Sequence, residues 1–289
     1  MAISSELIRS VTSSLYEWSL KMVPDDTKRE LALAERRETG AVAKNTFKIM
    51  IKSADAAERE DHLVCSDVGV PTYMVKVGTQ VSFSGNVRQA IVDGFADLVE
   101  GIQPPILKMV TNPLTLQRSY QGRNMPIVTF DMVDDVDYVE IICAPKALGT
   151  GRWESIETFV YPSLPTIERY VLDSVLKAGS QPCPPIVVGV GIGGTFDYAA
   201  KMAKECVLRP FGQINPEPIL ADMEQRLLKA INSTGFGPMG TGGETSAMAV
   251  HIDYSSGHGF TPVAVAFNCW INRRTRARIY NDGRVVRIE

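Results

Sequence analysis

Long apolar runs are missing from this sequence. No stretch approaches the ~20 residues that a membrane-spanning helix needs, so a membrane is not an expected partner. The first residues, MAISSELIRSVTSSLYEWSLKMV, lack the apolar h-region of a secretory signal. They alternate polar and apolar residues at helical spacing, and a cytoplasmic protein is expected. An excess of one charge is missing too. Lysine and arginine total 30 against 33 acidic residues, a net charge of −3 with no basic block, which argues against nucleic acid as a partner. Repeats, low-complexity tracts and linker-like composition are absent, so residues 1–289 are expected to form one domain. Cysteine is sparse: Cys65, Cys143, Cys183, Cys206 and Cys269. An odd number in a long, unsecreted chain argues against a disulfide framework. There is no CxxC pair for zinc and no compact ferredoxin run.

What is present reads as a mixture of helices and strands, with 45% hydrophobic residues to build a core. Ile8, Val11, Leu15 and Leu20 recur near helical spacing until Pro24. Residues 26–37 and 41–57 continue as helices on either side of Gly40. Residues 72–84 alternate and are β-branched, which predicts one or two strands. A helix is predicted over 86–99, a proline-broken loop over 102–113, and two strands over 126–143. Residues 165–178 predict a helix, with Pro165 in its first turn and Gly179 beyond its end. The strand PPIVVGV, a glycine turn and the helix FDYAAKMAKECVL follow. The next helix spans 216–233, with Asn215 as cap and Pro216 at its first position. MAVHIDY and PVAVAFN read as strands, and Asn281-Asp282-Gly283 as the turn of a closing hairpin. A single β–α crossover is apparent. The expected class is therefore α+β: one mixed domain of N-terminal helices, irregular strands and Gly-rich loops.

Cys143 sits inside the apolar strand IICA, and Cys206 shares a helical face with Ala199, Met202 and Ala203; both read as small buried hydrophobes. Cys65, Cys183 and Cys269 instead lie at boundaries between elements, where a side chain can face a cleft. Spacing alone leaves two readings open, a shared metal centre or three further core thiols. The run from Gly189 to Gly194 satisfies G-x-G-x-x-G after a strand and before a helix. No second parallel strand or ribose-binding acid follows at the expected distance, so a nucleotide site is the weaker reading. A glycine turn at a helix N-terminus also suits a carboxylate or another anion.

Four segments, in order, carry a resemblance: VCSDVGVPTYMVKVG, AGSQPCPPIVVGVGIGGTFDYAAKMAKECVLRP, GFGPMGTGGETSAMAVHIDY and HGFTPVAVAFNCWINRR. Together they resemble the class I iron–sulfur fumarases and L-tartrate dehydratases, most strongly over about residues 166–275. The resemblance implies a [4Fe–4S] cluster in a cleft, held by Cys65, Cys183 and Cys269, with one iron left open as a Lewis acid. It implies that Ser66, Asp67 and His258 contact substrate, and that Asp67 and His258 serve in proton transfer or hydrogen bonding. His251 reads as a packing residue. Thr245 and the glycines Gly240, Gly242 and Gly243 are expected to shape the cluster pocket.

In single-chain members a second domain follows, carrying the catalytic base and cationic substrate-binding residues. This chain ends where that domain would start, so it is expected to be an α-subunit completed by a β-subunit, in an α2β2 assembly acting on a small dicarboxylate. The family's Cys-Gln-Asp-Thr-Gly is Cys65-Ser66-Asp67-Val68-Gly69 here, and its lysine–triglycine–serine segment corresponds to residues 144–151. No arginine stands at 103–108, where the family carries one; Lys108 and Arg123 are the available substitutes. These departures are expected to touch substrate and put fumarate itself in question, a bulkier or methylated dicarboxylate being one alternative. Two other functions stay open: a nucleotide-binding protein using the Gly189–Gly194 loop, and a non-catalytic cluster-binding relative.

Overall fold

The computed structural model describes residues 2–288. In chain order the main elements are α1 (Ser5–Lys21), α2 (Asp25–Arg37), α3 (Ala41–Arg59), β1 (Thr72–Gly78), α4 (Val87–Gly101), β2 (Ile127–Val133) and β3 (Tyr138–Cys143). They continue with β4 (Ser155–Val160), α5 (Leu164–Ala178), β5 (Ile186–Gly193), α6 (Phe196–Cys206), α7 (Pro218–Asn232), β6 (Ala247–Ser255), β7 (Phe260–Asn268), β8 (Thr275–Tyr280) and β9 (Val285–Ile288). The class is α+β, as expected. Among the described residues no helix is long and apolar enough to cross a membrane.

Contacts cluster into two compact units, each assembled from separated segments. The first takes the N-terminus to Pro24, Ala54–Leu148, and Arg273 to the C-terminus. Its five-stranded sheet has the order β9-β8-β3-β1-β2, with only β1 and β2 parallel. Leu15, Tyr16, Tyr73, Ile91, Phe95 and Ile141 fill its core. Ser4 and Asn86 cap α1 and α4 through their side chains. The two helices cross where Gly94 has no side chain, because a Cβ there would lie 2.4 Å from the Arg9 carbonyl.

The second unit comprises Asp25–Ser53 and Gly149–Asn272. Its sheet has the order β6-β5-β7-β4, with β5 and β6 parallel and β7 antiparallel to both β5 and β4. Side chains alternate along β5. Val188 and Val190 join Ile252, Val265 and Phe267 in the core with α5 and α7. Gly189 and Gly191 bring α6 onto the strand backbone: Cβ atoms there would lie 2.2 Å from the Ala203 carbonyl and 2.1 Å from that of Ala199.

Two local expectations are corrected. Helix α7 begins at Pro218 with Glu217 as its cap residue, not at Pro216 behind Asn215. Asn215 is buried instead, and its amide donates to Glu224 and to the Ile252 carbonyl (both 2.8 Å). The proline-broken stretch holds a short strand, Val110–Thr111, paired with Arg118–Ser119. Strand β4 pairs at the sheet edge, without regular burial alternation.

Gly191→Ala should therefore lower the urea unfolding midpoint by an amount equivalent to about 1–3 kcal/mol, through overpacking. Gly101→Ala, where a Cβ meets nothing within 4 Å, is the control and should shift it by less.

Candidate active site

Cys65 lies half-buried in the loop between α3 and β1. Just before it, the Val64 N–H donates to the Leu20 carbonyl (3.0 Å). Asp67 forms an Asx turn, its Oδ1 accepting the Gly69 N–H at 3.0 Å. Arg273 Nη1 donates to the Asp67 carbonyl, and the buried Tyr16 hydroxyl donates to that of Val68 (3.1 Å). Gly69 has φ +75°, and its Cβ would lie 2.8 Å from the Pro145 carbonyl carbon; only glycine allows this approach. Val70 and Lys146 exchange main-chain hydrogen bonds of 2.8 and 2.9 Å. The cysteine motif and residues 144–148, two segments where this chain departs from the family pattern, are thus neighbours in one unit. Ser66 is exposed. The expectation that Val68 touches substrate is corrected: its side chain is packed in the hydrophobic core.

In the second unit, antiparallel pairing places Asn268 opposite Val187, so the end of β7 meets the start of β5. This brings Cys269 beside Cys183, and the Trp270 N–H donates to the Cys183 carbonyl (3.2 Å). Both cysteines are half-buried. The second glycine segment lies against the same turn. Met239 N–H donates to the Pro184 carbonyl (2.7 Å), and a Cβ at Gly240 would fall 2.6 Å from Ser180 Cβ. Farther along this segment, Glu38 holds Glu244. The buried Glu38 carboxylate accepts the Glu244 N–H at both oxygens (3.2 and 3.0 Å) and that of Thr39 at one (3.2 Å). Sequence reasoning did not single out Glu38. It ends a helix already rich in charge, and nothing in the pattern marks it as buried.

His258 stands exposed ahead of β7, and its Nδ1 accepts the Phe260 N–H at 3.1 Å. A neutral ring then carries its proton on Nε2, where it can donate. The nine residues of β7 separate His258 from Cys269, roughly 30 Å at strand rise. Within one copy of the chain these two residues lie at opposite ends of the strand. His251 is buried, with Nδ1 3.0 Å from the Cys206 carbonyl, and serves packing. Lys108 stacks over Tyr120 at 5.7 Å, and Arg123 is exposed. Arg273 and Arg274 are both buried.

The first glycine motif does not form a phosphate cradle. Gly189 and Gly191 lie within β5 beneath α6. At the N-terminus of α6, the Asp197 carboxylate accepts from Thr195 Oγ1 (2.7 Å) and from the first backbone N–H groups, which holds its pKa below the usual range. An incoming anion would meet that charge.

The five thiols divide by environment. Burial pushes Cys143 well above the ordinary thiol range and Cys206 up to about 12, so neither ionises near neutral pH. Cys65, Cys183 and Cys269 are partly exposed and in no disulfide, and thiols that bind metal must be reachable. Among the described residues no three His, Cys, Asp or Glu side chains gather round a single ion. A cluster asks for something different, because its cysteines bind separate irons. The donor set fits a cluster by its chemistry. Iodoacetamide at pH 8 should accordingly modify Cys65, Cys183 and Cys269 in the folded, metal-free chain and spare Cys143 and Cys206, as read by peptide mass spectrometry. Modification of either buried thiol without unfolding would contradict the sorting.

A protein of Methanocaldococcus jannaschii, provisionally named L(+)-tartrate dehydratase subunit alpha, is 34% identical over 286 residues, covering 96% of this chain and 99% of the relative. The L(+)-tartrate dehydratase subunits alpha of Escherichia coli strains UTI89 and K12 are 28% and 27% identical over 283 residues, covering 96% of this chain and 91% of each relative. The family model for fumarate hydratase (Fumerase) matches residues 9–278. The chain therefore belongs to the fumarate hydratase family.

Proposed function

We propose that this chain is the α-subunit of a [4Fe–4S]-dependent hydro-lyase of the fumarate hydratase and tartrate dehydratase type. With a β-subunit, in the cytoplasm and in an α2β2 complex, it catalyses reversible hydration and dehydration of a small dicarboxylate. The enzyme class follows from the family. The observation that carries the cofactor reading is the division of the thiols: three partly exposed cysteines in tightly tied loops, two sealed in cores. The relatives' names, all subunit alpha, support the partner and make L-tartrate the first substrate to try.

In this reading Cys65, Cys183 and Cys269 hold the cluster, and residues 1–289 act as one functional domain. When bound, the cluster supplies a Lewis-acidic iron that weakens the substrate's C–O bond. Asp67 keeps Oδ1 in its Asx turn and offers Oδ2 to move a proton or accept a hydrogen bond. Ser66 offers an exposed hydroxyl to a substrate carboxylate. The base that takes the carbon-bound proton belongs to the β-subunit. His258 enters through assembly: its outward Nε2–H is available to a neighbouring subunit, because β7 separates it from Cys269 in its own chain.

Anaerobic reconstitution should give the visible absorbance of a [4Fe–4S] cluster. Cys65→Ala, Cys183→Ala and Cys269→Ala should each abolish it, and Cys143→Ala and Cys206→Ala should leave it. Full cluster loading in any of the first three removes that residue from the ligand set. The complex with its β-subunit should dehydrate L-tartrate or a related C4 or C5 hydroxydicarboxylate. His258→Ala should lower turnover about 10²- to 10⁴-fold with the cluster intact, the range for loss of one acid–base group. A loaded complex inactive on the whole panel would favour a non-catalytic relative, and tight binding of NAD or ATP by titration a nucleotide-binding protein.

A further inference from the structure

We propose that Arg273 is a positioning residue: its buried guanidinium clamps the Asp67 peptide and so fixes the direction in which Asp67 and Cys65 project from their loop. The catalytic part of this inference rests on the function proposed above; the clamp itself does not.

The loop is tied at both ends. Val64 is bonded to Leu20 before Cys65, and Val68 to Tyr16 after it. Between these points the Asp67 carbonyl accepts from Arg273 Nη1. The base of Arg273 is itself rigid, since β8 begins two residues later. Thr275 pairs with Cys143 across the sheet, and its hydroxyl donates to the Leu15 carbonyl (2.7 Å). Asp67 is thus held from the sheet through Arg273 and from its own turn through Gly69.

Arg273 is only 6% exposed, and its Nε is buried with no acceptor. Burying a guanidinium with one donor unsatisfied is unfavourable, and an apolar side chain of similar volume would fill the space at less desolvation cost. What an apolar residue cannot supply is a charge-assisted bond to a main-chain oxygen at this reach. Arg273 and Arg274 are both buried, which excludes a solvated pair, and the bond to Asp67 assigns Arg273 a task.

The test uses full-length chains carrying Arg273→Met and Arg273→Lys beside the wild type. Hydrogen exchange is followed by mass spectrometry on peptides covering residues 63–70 and, as reference, 186–193. Arg273→Met should speed exchange in 63–70 by about ten-fold or more, the factor expected for one hydrogen bond to a charged group, and leave 186–193 unchanged. Arg273→Lys, which keeps a charge and a donor, should restore most of the protection. Unchanged exchange at 63–70, or equal acceleration in both regions, overturns the clamp.

In the loaded complex with the β-subunit, Arg273→Met should lower kcat about 10- to 100-fold with KM within about three-fold, the signature of a misplaced reacting group. A raised KM with unchanged kcat overturns the positioning role. An inactive wild-type complex refutes the hydro-lyase reading, and the exchange data still decide the clamp.

Discussion

At Gly69 the cysteine-bearing loop of the first unit lies directly on the main chain of Pro145 and Lys146, and at Gly191 helix α6 lies directly on β5. Backbone contacts of this kind set the candidate site. Around Cys183 the ties are again main chain: Trp270 to Cys183 and Met239 to Pro184. A loop held through its peptides leaves its own side chains free to point outward. On the proposed reading, that arrangement suits thiols that would hold a cluster at fixed geometry. It also explains the density of glycine in the motifs. The close approaches forbid a Cβ, and Gly69, Gly240 and Gly243 adopt positive φ as well.

Burial does the second part of the sorting. A thiol in a closed core is stabilised in its neutral form, as at Cys143 and Cys206, and is lost to metal binding near neutral pH. Cys65, Cys183 and Cys269 are partly exposed and not sealed in a core. The same reasoning separates the histidines. His251, enclosed beside Cys206, has its ring committed to packing, whereas His258 keeps Nε2 open.

Much of this was legible in the sequence, for identifiable reasons. Helices α1 to α6 and the central strands follow hydrophobic period and glycine or proline punctuation, and the Asn281-Asp282-Gly283 turn closes β8 on β9 as expected. The cysteine sorting was legible because IICA and the α6 face are unambiguous patterns. The failures have a common cause: a residue's local signal was satisfied by a distant partner. Asn215 has the chemistry of a cap, but Glu224 and Ile252 claim its amide. Gly189 and Gly191 spell a phosphate motif, but the space beneath them is filled by α6. Glu38 and Arg273 look like surface charge, and only the fold reveals the peptides they hold.

The substrate question narrows for a related reason. Two departures from the family pattern flank Asp67, and they are not equivalent. Val68 faces the core, where a threonine hydroxyl would need a buried partner. Valine there is a packing choice and carries no information about substrate. Ser66 is exposed. A serine in place of glutamine withdraws an amide and shortens the side chain, which alters both the hydrogen bonds on offer and the room beside Asp67. Sites that recognise substrate through hydrogen bonds discriminate strongly when a partner is removed, far more than sites that add or lose a methylene. On the proposed reading, specificity in this subunit therefore rests on the exposed Ser66 and not on the buried Val68.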